Sequence, residues 1–229
     1  MRETEIGGPG GEWASTLWST ALRARDPEAL ERLAARYWKP VYFFIRAKGK
    51  DVETAKDLTQ SFFAYVLEKE ILDRKNETGS FRAFLRGVLD RFLSDQYDRE
   101  RAIKRGGQAA RVSWDFAEAE TDFSSQKGTD PEQAFLRSCA AETVMRVLDR
   151  LREERAEGYE LLRLRFGFEG ESSDYAQIER RLGLSEADVT NRLHRAKARF
   201  RDLLIEELRQ TAATPEDLEE ELRLFRRVF

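Results

Sequence analysis

The chain has 229 residues, 41% hydrophobic and 36% charged, with 40 Lys and Arg against 43 Asp and Glu for a net charge of −3. That length suits one large or two small domains, and the slightly acidic balance means that a local positive field is not a by-product of a basic composition. One cysteine, Cys139, excludes an internal disulfide, and with one histidine, His194, there are too few ligands or partners for a zinc site or a Cys/His nucleophile pair; no glycine-rich phosphate loop is present, so neither an enzyme nor a cofactor is expected.

Gly and Pro are sparse and alternating β-branched runs almost absent, which predicts an all-α protein. No apolar run approaches a membrane span. Residues 1–12 lack the apolar core of a signal peptide and read as a flexible leader, so a cytoplasmic protein without membrane contact is expected. Residues 13–25 predict a first helix with Trp13, Leu17, Trp18, Ala21 and Leu22 on one side. Asp26-Pro27-Glu28 starts the next, with Asp as N-cap and Pro at the first helical position. Its stripe is Leu30, Leu33, Ala34, Tyr37 and Trp38; Pro40 predicts a break or kink before VYFFIRAK carries the helix to Gly49.

Asp51 caps a third helix, DVETAKDLTQSFFAYVLEKE, with Ala55, Leu58, Phe62, Tyr65 and Val66 as its apolar stripe. The opposite face carries Glu53, Asp57, Gln60, Ala64 and Glu68, with Ser61 at its edge. A polar loop, LDRKNETGS, precedes FRAFLRGVLDRFLSDQYDRERAIKRGG. There Phe81, Phe84, Leu85, Val88, Phe92 and Leu93 form a core stripe, while Arg82, Arg86, Arg91, Arg99, Arg101, Lys104 and Arg105 project elsewhere. Aromatics beside arginines after an exposed loop suit single-stranded nucleic acid, although most of these aromatics read as core.

Residues 106–130 shift to Gly, Ala, Ser, Thr and Gln, with acids at Glu118, Glu120 and Asp122, and predict a linker with a local docking point at VSWDF. Asp130-Pro131-Glu132-Gln133 opens a further helix through Arg155, on whose apolar side Cys139 reads as a small core residue. YELLRLRFGF is a shorter helix ended by Gly170. Residues 172–204 then read as two helices joined by a tight turn. Asp174 and Gln177 make a capping-box pattern, Gly183 is free to take the left-handed conformation at the turn, and Ser185 caps the second helix. From Val189 to Arg201 the charges are Arg192, Arg195, Lys197, Arg199 and Arg201, with no acid among them. A short helix, a glycine turn and a basic helix are how a helix-turn-helix offers a recognition helix to the major groove. Residues 211–229 predict a last amphipathic helix, with Leu218, Leu222, Phe225 and Phe229 expected to pack back on the C-terminal domain or to serve a partner.

YAQIERRLGLSEADVTNRLHRAKARFRDLL resembles the promoter-reading helix-turn-helix of bacterial sigma factors of the extracytoplasmic-function (ECF) group of the sigma-70 family. KDLTQSFF resembles that family's D-L-x-Q-E-x-F signature, and the 81–107 run resembles its promoter-melting segment. The motifs also stand in the family's order. The resemblance implies two small helical domains joined by a flexible linker: a region-2-like domain at 13–105, the linker at 106–130, and a region-4-like domain at 131–210, followed by the helix of 211–229. It implies a factor that binds the clamp helices of core RNA polymerase through Glu53, Asp57, Gln60 and Ser61. The melted minus-ten strand would meet Arg74, Lys75, Asn76, Thr78, Arg82, Arg86, Arg91, Asp95, Arg99, Arg101, Lys104 and Arg105. The minus-thirty-five duplex would meet Thr190, Asn191, Arg192, His194, Arg195, Lys197 and Arg199. Lys56 stands where an acid is common, and Ser61 replaces the usual Glu; phosphorylation of Thr59 or Ser61 by a Ser/Thr kinase would restore negative charge there. An anti-sigma factor is a further expected partner. The alternative reading is a stand-alone helix-turn-helix regulator that binds duplex DNA as a dimer.

Overall fold

The computed structural model describes residues 17–18, 27–68, 79–102, 114–124, 128–168 and 170–228. The elements in order are α1 (Pro27–Ala47), α2 (Val52–Glu68), α3 (Phe81–Ala102), α4 (Phe116–Ser124), α5 (Pro131–Glu154), α6 (Ala156–Phe166), α7 (Tyr175–Leu182), α8 (Glu186–Arg209) and α9 (Pro215–Val228). The protein is all-α, with no strand among the described residues. It divides into two compact units, Met1–Ala140 with Arg209–Phe229, and Ala141–Leu208.

In the first unit, α1 runs through Pro40 without the break that the sequence suggested. Proline removes one backbone hydrogen bond, but the residues that follow hold the helix by burial. Val41, Tyr42, Phe43, Phe44 and Ile45 are each 2% exposed or less. Asp51 caps α2 as expected, its carboxylate accepting from the Thr54 amide at 3.0 Å and the Thr54 hydroxyl at 2.6 Å. Those bonds hold its carboxyl below the ordinary value. Along α3 the buried stripe is Phe81, Leu85, Val88, Leu89, Phe92 and Leu93. Leu89 joins the expected set, and Phe84 is half-buried beside Trp18. Phe81 sits edge-on to Trp18 at 4.9 Å and to Tyr37 at 5.0 Å, so α3 is seated at its N-terminal end by aromatic packing. Of the expected first helix, Leu17 and Trp18 are described, both helical and buried; the remainder, with the leader, lies outside the described residues.

The expected linker contains α4, capped by Asp115 through the amides of Ala117 and Glu118. Its acids point at α1. Glu120 accepts from Tyr42 Oη at 2.8 Å and from Arg46 Nε and Nη2 at 2.8 and 2.6 Å, and Lys39 Nζ lies 2.7 Å from Asp122. Burial and the Glu120 carboxylate push the Tyr42 hydroxyl far above its ordinary pKa. Trp114 stacks on Trp38 at 5.5 Å. Charge and aromatic contact together turn a compositionally loop-like stretch into a docked strap. α5 begins in this unit too: Phe135 is fully buried against Phe44, and Cys139 is half-buried against the same core.

The C-terminal helix is a correction to the sequence reading. The expectation places it with the C-terminal domain, but α9 groups with the first unit. The Trp18 amide donates to Gln210 O at 3.0 Å and the Phe81 amide to Thr211 O at 2.8 Å. Ala212 and Leu218 are buried there.

The second unit is built from Val147, Leu148, Leu151, Leu161, Leu162, Leu164, Ile178, Val189, Leu193, Ala196 and Leu203, all buried. α6 ends at Gly167 rather than at the expected Gly170: φ is +69° there, and the Gly167 amide donates to Arg163 O at 2.8 Å. A Cβ at Gly167 would stand 2.7 Å from Gly170 O, so both the conformation and the space demand glycine.

Candidate nucleic-acid interface

The helix-turn-helix is assembled by the local chemistry that its sequence announces. Asp174 accepts from the Gln177 amide at 2.7 Å while Gln177 Oε1 accepts from the Asp174 amide at 2.8 Å, closing the capping box of α7. Gly183 takes φ +65° and donates to Glu179 O. Ser185 Oγ accepts from the Asp188 amide and donates to its carboxylate at 2.7 Å, capping α8. Ile178, Val189, Leu193 and Ala196 are buried along the seam. On the outer side of α8, Thr190, Asn191, His194, Arg195 and Lys197 are exposed. Lys197 Nζ lies 5.3 Å from the Phe166 ring centre, and Phe166 stacks on Phe168.

Two of the expected duplex contacts have other partners. Arg199 binds Glu154 through Nε at 2.9 Å and Nη2 at 2.7 Å, with Glu206 at 3.4 Å. These carboxylates hold its pKa above even the usual guanidinium value. Arg199 therefore ties α8 to α5 and is not a free phosphate ligand. Arg192 is half-buried and ion-paired with Glu157. It lines a cleft of about 520 Å³ together with Arg155, Asp188 and Arg195. Arg155 was not legible as a site residue. It precedes α6 with no side-chain cap, and its proximity to α8 arises from tertiary packing rather than from spacing.

The basic helix α3 differs. Arg82 forms a bidentate pair with Glu221 of α9, Nε standing 3.0 Å from both carboxylate oxygens; the two side chains are 11% and 8% exposed. Glu221 raises the pKa of Arg82 against the opposing desolvation. Arg86 binds Glu132 at 2.6 Å and Asp90 at 2.6 Å, with its guanidinium 4.0 Å from the Phe44 ring centre. Both expected strand contacts are therefore engaged by carboxylates in this structure. Arg91 and Asp95 are exposed. Arg99 and Arg101 belong to the last turns of α3, their side chains outside the described set. Arg74, Lys75, Asn76, Thr78, Lys104 and Arg105 lie outside the described residues.

On α2, Glu53 and Asp57 are exposed, and Gln60 and Ser61 half-buried. Lys56, the departure from the acidic pattern, is turned to Glu53 at 2.9 Å, which offsets its charge. Thr59 is fully buried, and its hydroxyl donates to Ala55 O at 2.7 Å. That removes Thr59 from the expected pair of modification sites, because a kinase cannot reach a hydroxyl sealed against the helix core; Ser61 is the remaining member.

Among the described residues no helix is long and apolar enough to cross a membrane, and no cluster of His, Cys, Asp and Glu could hold a metal ion. No curated protein and no solved structure matches the chain. The family model described as ECF sigma factor matches residues 20–206, a span that takes in α2, α3 and the whole helix-turn-helix. The chain belongs to the ECF sigma factor family, non-enzymatic initiation factors that bind core RNA polymerase and direct promoter-specific transcription.

Proposed function

We propose that the chain works in the cytoplasm, docks on the clamp helices of core RNA polymerase through the Glu53, Asp57, Gln60 and Ser61 face of α2, and reads promoters with two surfaces. The second unit reads the minus-thirty-five duplex through Thr190, Asn191, His194 and Arg195, with Lys197 and Arg192 toward the phosphates. The first unit holds the melted minus-ten strand along α3 and through residues 74–80 before it. The observation that carries this reading is the outer face of α8, where five polar or basic side chains stand exposed on the second, N-capped helix of a helix-turn-helix. Such a face supplies base-edge donors near the N-terminal half of a recognition helix, where the major groove is entered. Opening the duplex costs a few kcal/mol per unstacked base, which contacts along the first unit offset. Ser61 is a candidate kinase target beside the docking face, and an anti-sigma factor a candidate partner.

The test is binding to purified bacterial core polymerase by wild type, by Asp57→Lys/Gln60→Ala and by Ser61→Glu. Tight wild-type binding lost in the double variant supports the docking face. Binding gained in Ser61→Glu alone supports control by phosphorylation. No binding by wild type or Ser61→Glu overturns the reading.

A further inference from the structure

Two groups that could hold an anion at the start of α3 are both occupied by carboxylates of α9. The first is the Gly79 amide, two residues before α3; it donates to Asp217 Oδ2 at 3.2 Å. The second is Arg82, clasped by both oxygens of Glu221. A bidentate carboxylate on a guanidinium has the geometry of a bound phosphate. The Asp217 carboxylate is also held by the residue that opens its own helix. Asp217 accepts from the Thr214 amide at 3.0 Å and hydroxyl at 2.9 Å, so the N-terminal cap of α9 and its grip on Gly79 are one group.

Leu218 is buried, Leu222 and Phe225 are half-buried, and Glu219, Glu220, Arg223, Arg226 and Arg227 face solvent or its edge. A buried ion pair is a weak source of net stability, because desolvation of both charges opposes their attraction; its best-attested use is in register and switching. An aliphatic pair would have fixed a permanent helix as well. Gln210 and Thr211 are bound separately, their carbonyls accepting from the Trp18 and Phe81 amides, so this attachment does not depend on Asp217 or Glu221.

We propose that α9 is an intramolecular latch: its Asp217 and Glu221 carboxylates occupy the Gly79 and Arg82 anion sites and must leave before a melted DNA strand can take them. The inference rests on the proposed role of α3 in holding that strand. It makes the free protein a poor binder of single strands, and it makes opening of α9 part of engaging the promoter.

The test uses the full chain and a fluorescein-labelled single-stranded DNA of mixed sequence, followed by anisotropy across a salt series. Wild type is compared with Glu221→Gln and with Arg82→Gln/Glu221→Gln. Glu221→Gln is expected to bind severalfold tighter, with a salt slope steeper by about 0.7 for the one added phosphate contact. The double variant loses both gains. Hydrogen exchange on wild type needs no variant: saturating DNA should speed exchange in residues 215–228 and at the Gly79 amide while slowing it along α3. Equal affinity and slope in wild type and Glu221→Gln, or unchanged exchange in α9, overturns the latch. Slowed exchange along α3 with unchanged exchange in α9 would overturn the latch and leave the strand-holding role of α3 standing, whereas unchanged exchange in both would count against that role as well. Absence of binding by all three proteins also overturns the latch, because a freed Arg82 should then have been enough to gain contact.

Discussion

The two basic helices, α3 and α8, look alike in sequence and differ in what their charges do. On α3, the N-terminal arginines are answered by acids from distant parts of the chain: Glu221 on Arg82, and Glu132 on Arg86. On α8, Thr190, Asn191, His194, Arg195 and Lys197 are exposed, while Arg192 and Arg199 are taken by Glu157 and Glu154. The number of arginines on a helix therefore says little about how many a ligand can reach. What decides is whether the fold brings a carboxylate to each. On α3 those carboxylates come from 46 and 139 residues along the chain, a distance that spacing on the helix does not reveal.

The strongest way to break the comparison is to unseat both helices. Phe81→Ala should cost the first unit about 3–5 kcal/mol, since a fully buried ring between Trp18 and Tyr37 leaves a cavity. Leu193→Ala should cost the second unit about 2–5 kcal/mol for the same reason. Denaturant unfolding followed separately in each unit checks this. Similar losses would mean that the helices are equally well packed and differ in their charges; a Phe81→Ala loss under about 1 kcal/mol would mean that α3 is held chiefly by its ion pairs.

Next in size is Glu120→Ala. It leaves the Tyr42 hydroxyl and the Arg46 guanidinium without their shared acceptor, and should cost about 1.5–3 kcal/mol. Thermal melts check it, and increased proteolysis within residues 114–124 is expected alongside, because α4 loses its principal tie to α1.

Base readout sharpens the other side of the comparison. Asn191→Ala should lower promoter affinity of the polymerase complex by about 1–3 kcal/mol, confined to changes at one position of the duplex. Stability should move by under about 0.5 kcal/mol because the side chain is exposed. A loss spread evenly over all sequences would assign Asn191 to the backbone instead.

The fold was legible where local chemistry decides it. The Asp174–Gln177 box, the Gly183 turn, the Ser185 cap and the Asp51 cap all read directly from residue type and spacing, and all are made in the structure. The illegible parts depend on partners far along the chain. The 106–130 stretch has a linker's composition, yet Glu120 meets Tyr42 and Arg46, some 78 and 74 residues away. The Leu218 stripe reveals an apolar face without saying what covers it, and Arg82 lies 139 residues from Glu221. Thr59 shows the same limit at short range. Its position on α2 gave it a place near the acidic face, but the helix turns its hydroxyl inward.

The smallest effects separate two arginines four residues apart on α8. Arg195→Ala should leave stability within about 0.5 kcal/mol of wild type and lower the salt slope of duplex binding by about 0.9, one phosphate contact. Arg199→Ala should do the reverse. Its guanidinium is engaged by Glu154 and Glu206, so its loss should cost about 0.2–1 kcal/mol of stability, as partly exposed pairs do, and leave the salt slope unchanged. The two measurements, a melt and a salt titration, are independent. If Arg199→Ala also flattens the slope, Glu154 and Glu206 release Arg199 when DNA arrives, and α8 carries the same kind of internal competition between carboxylate and phosphate that α9 brings to α3.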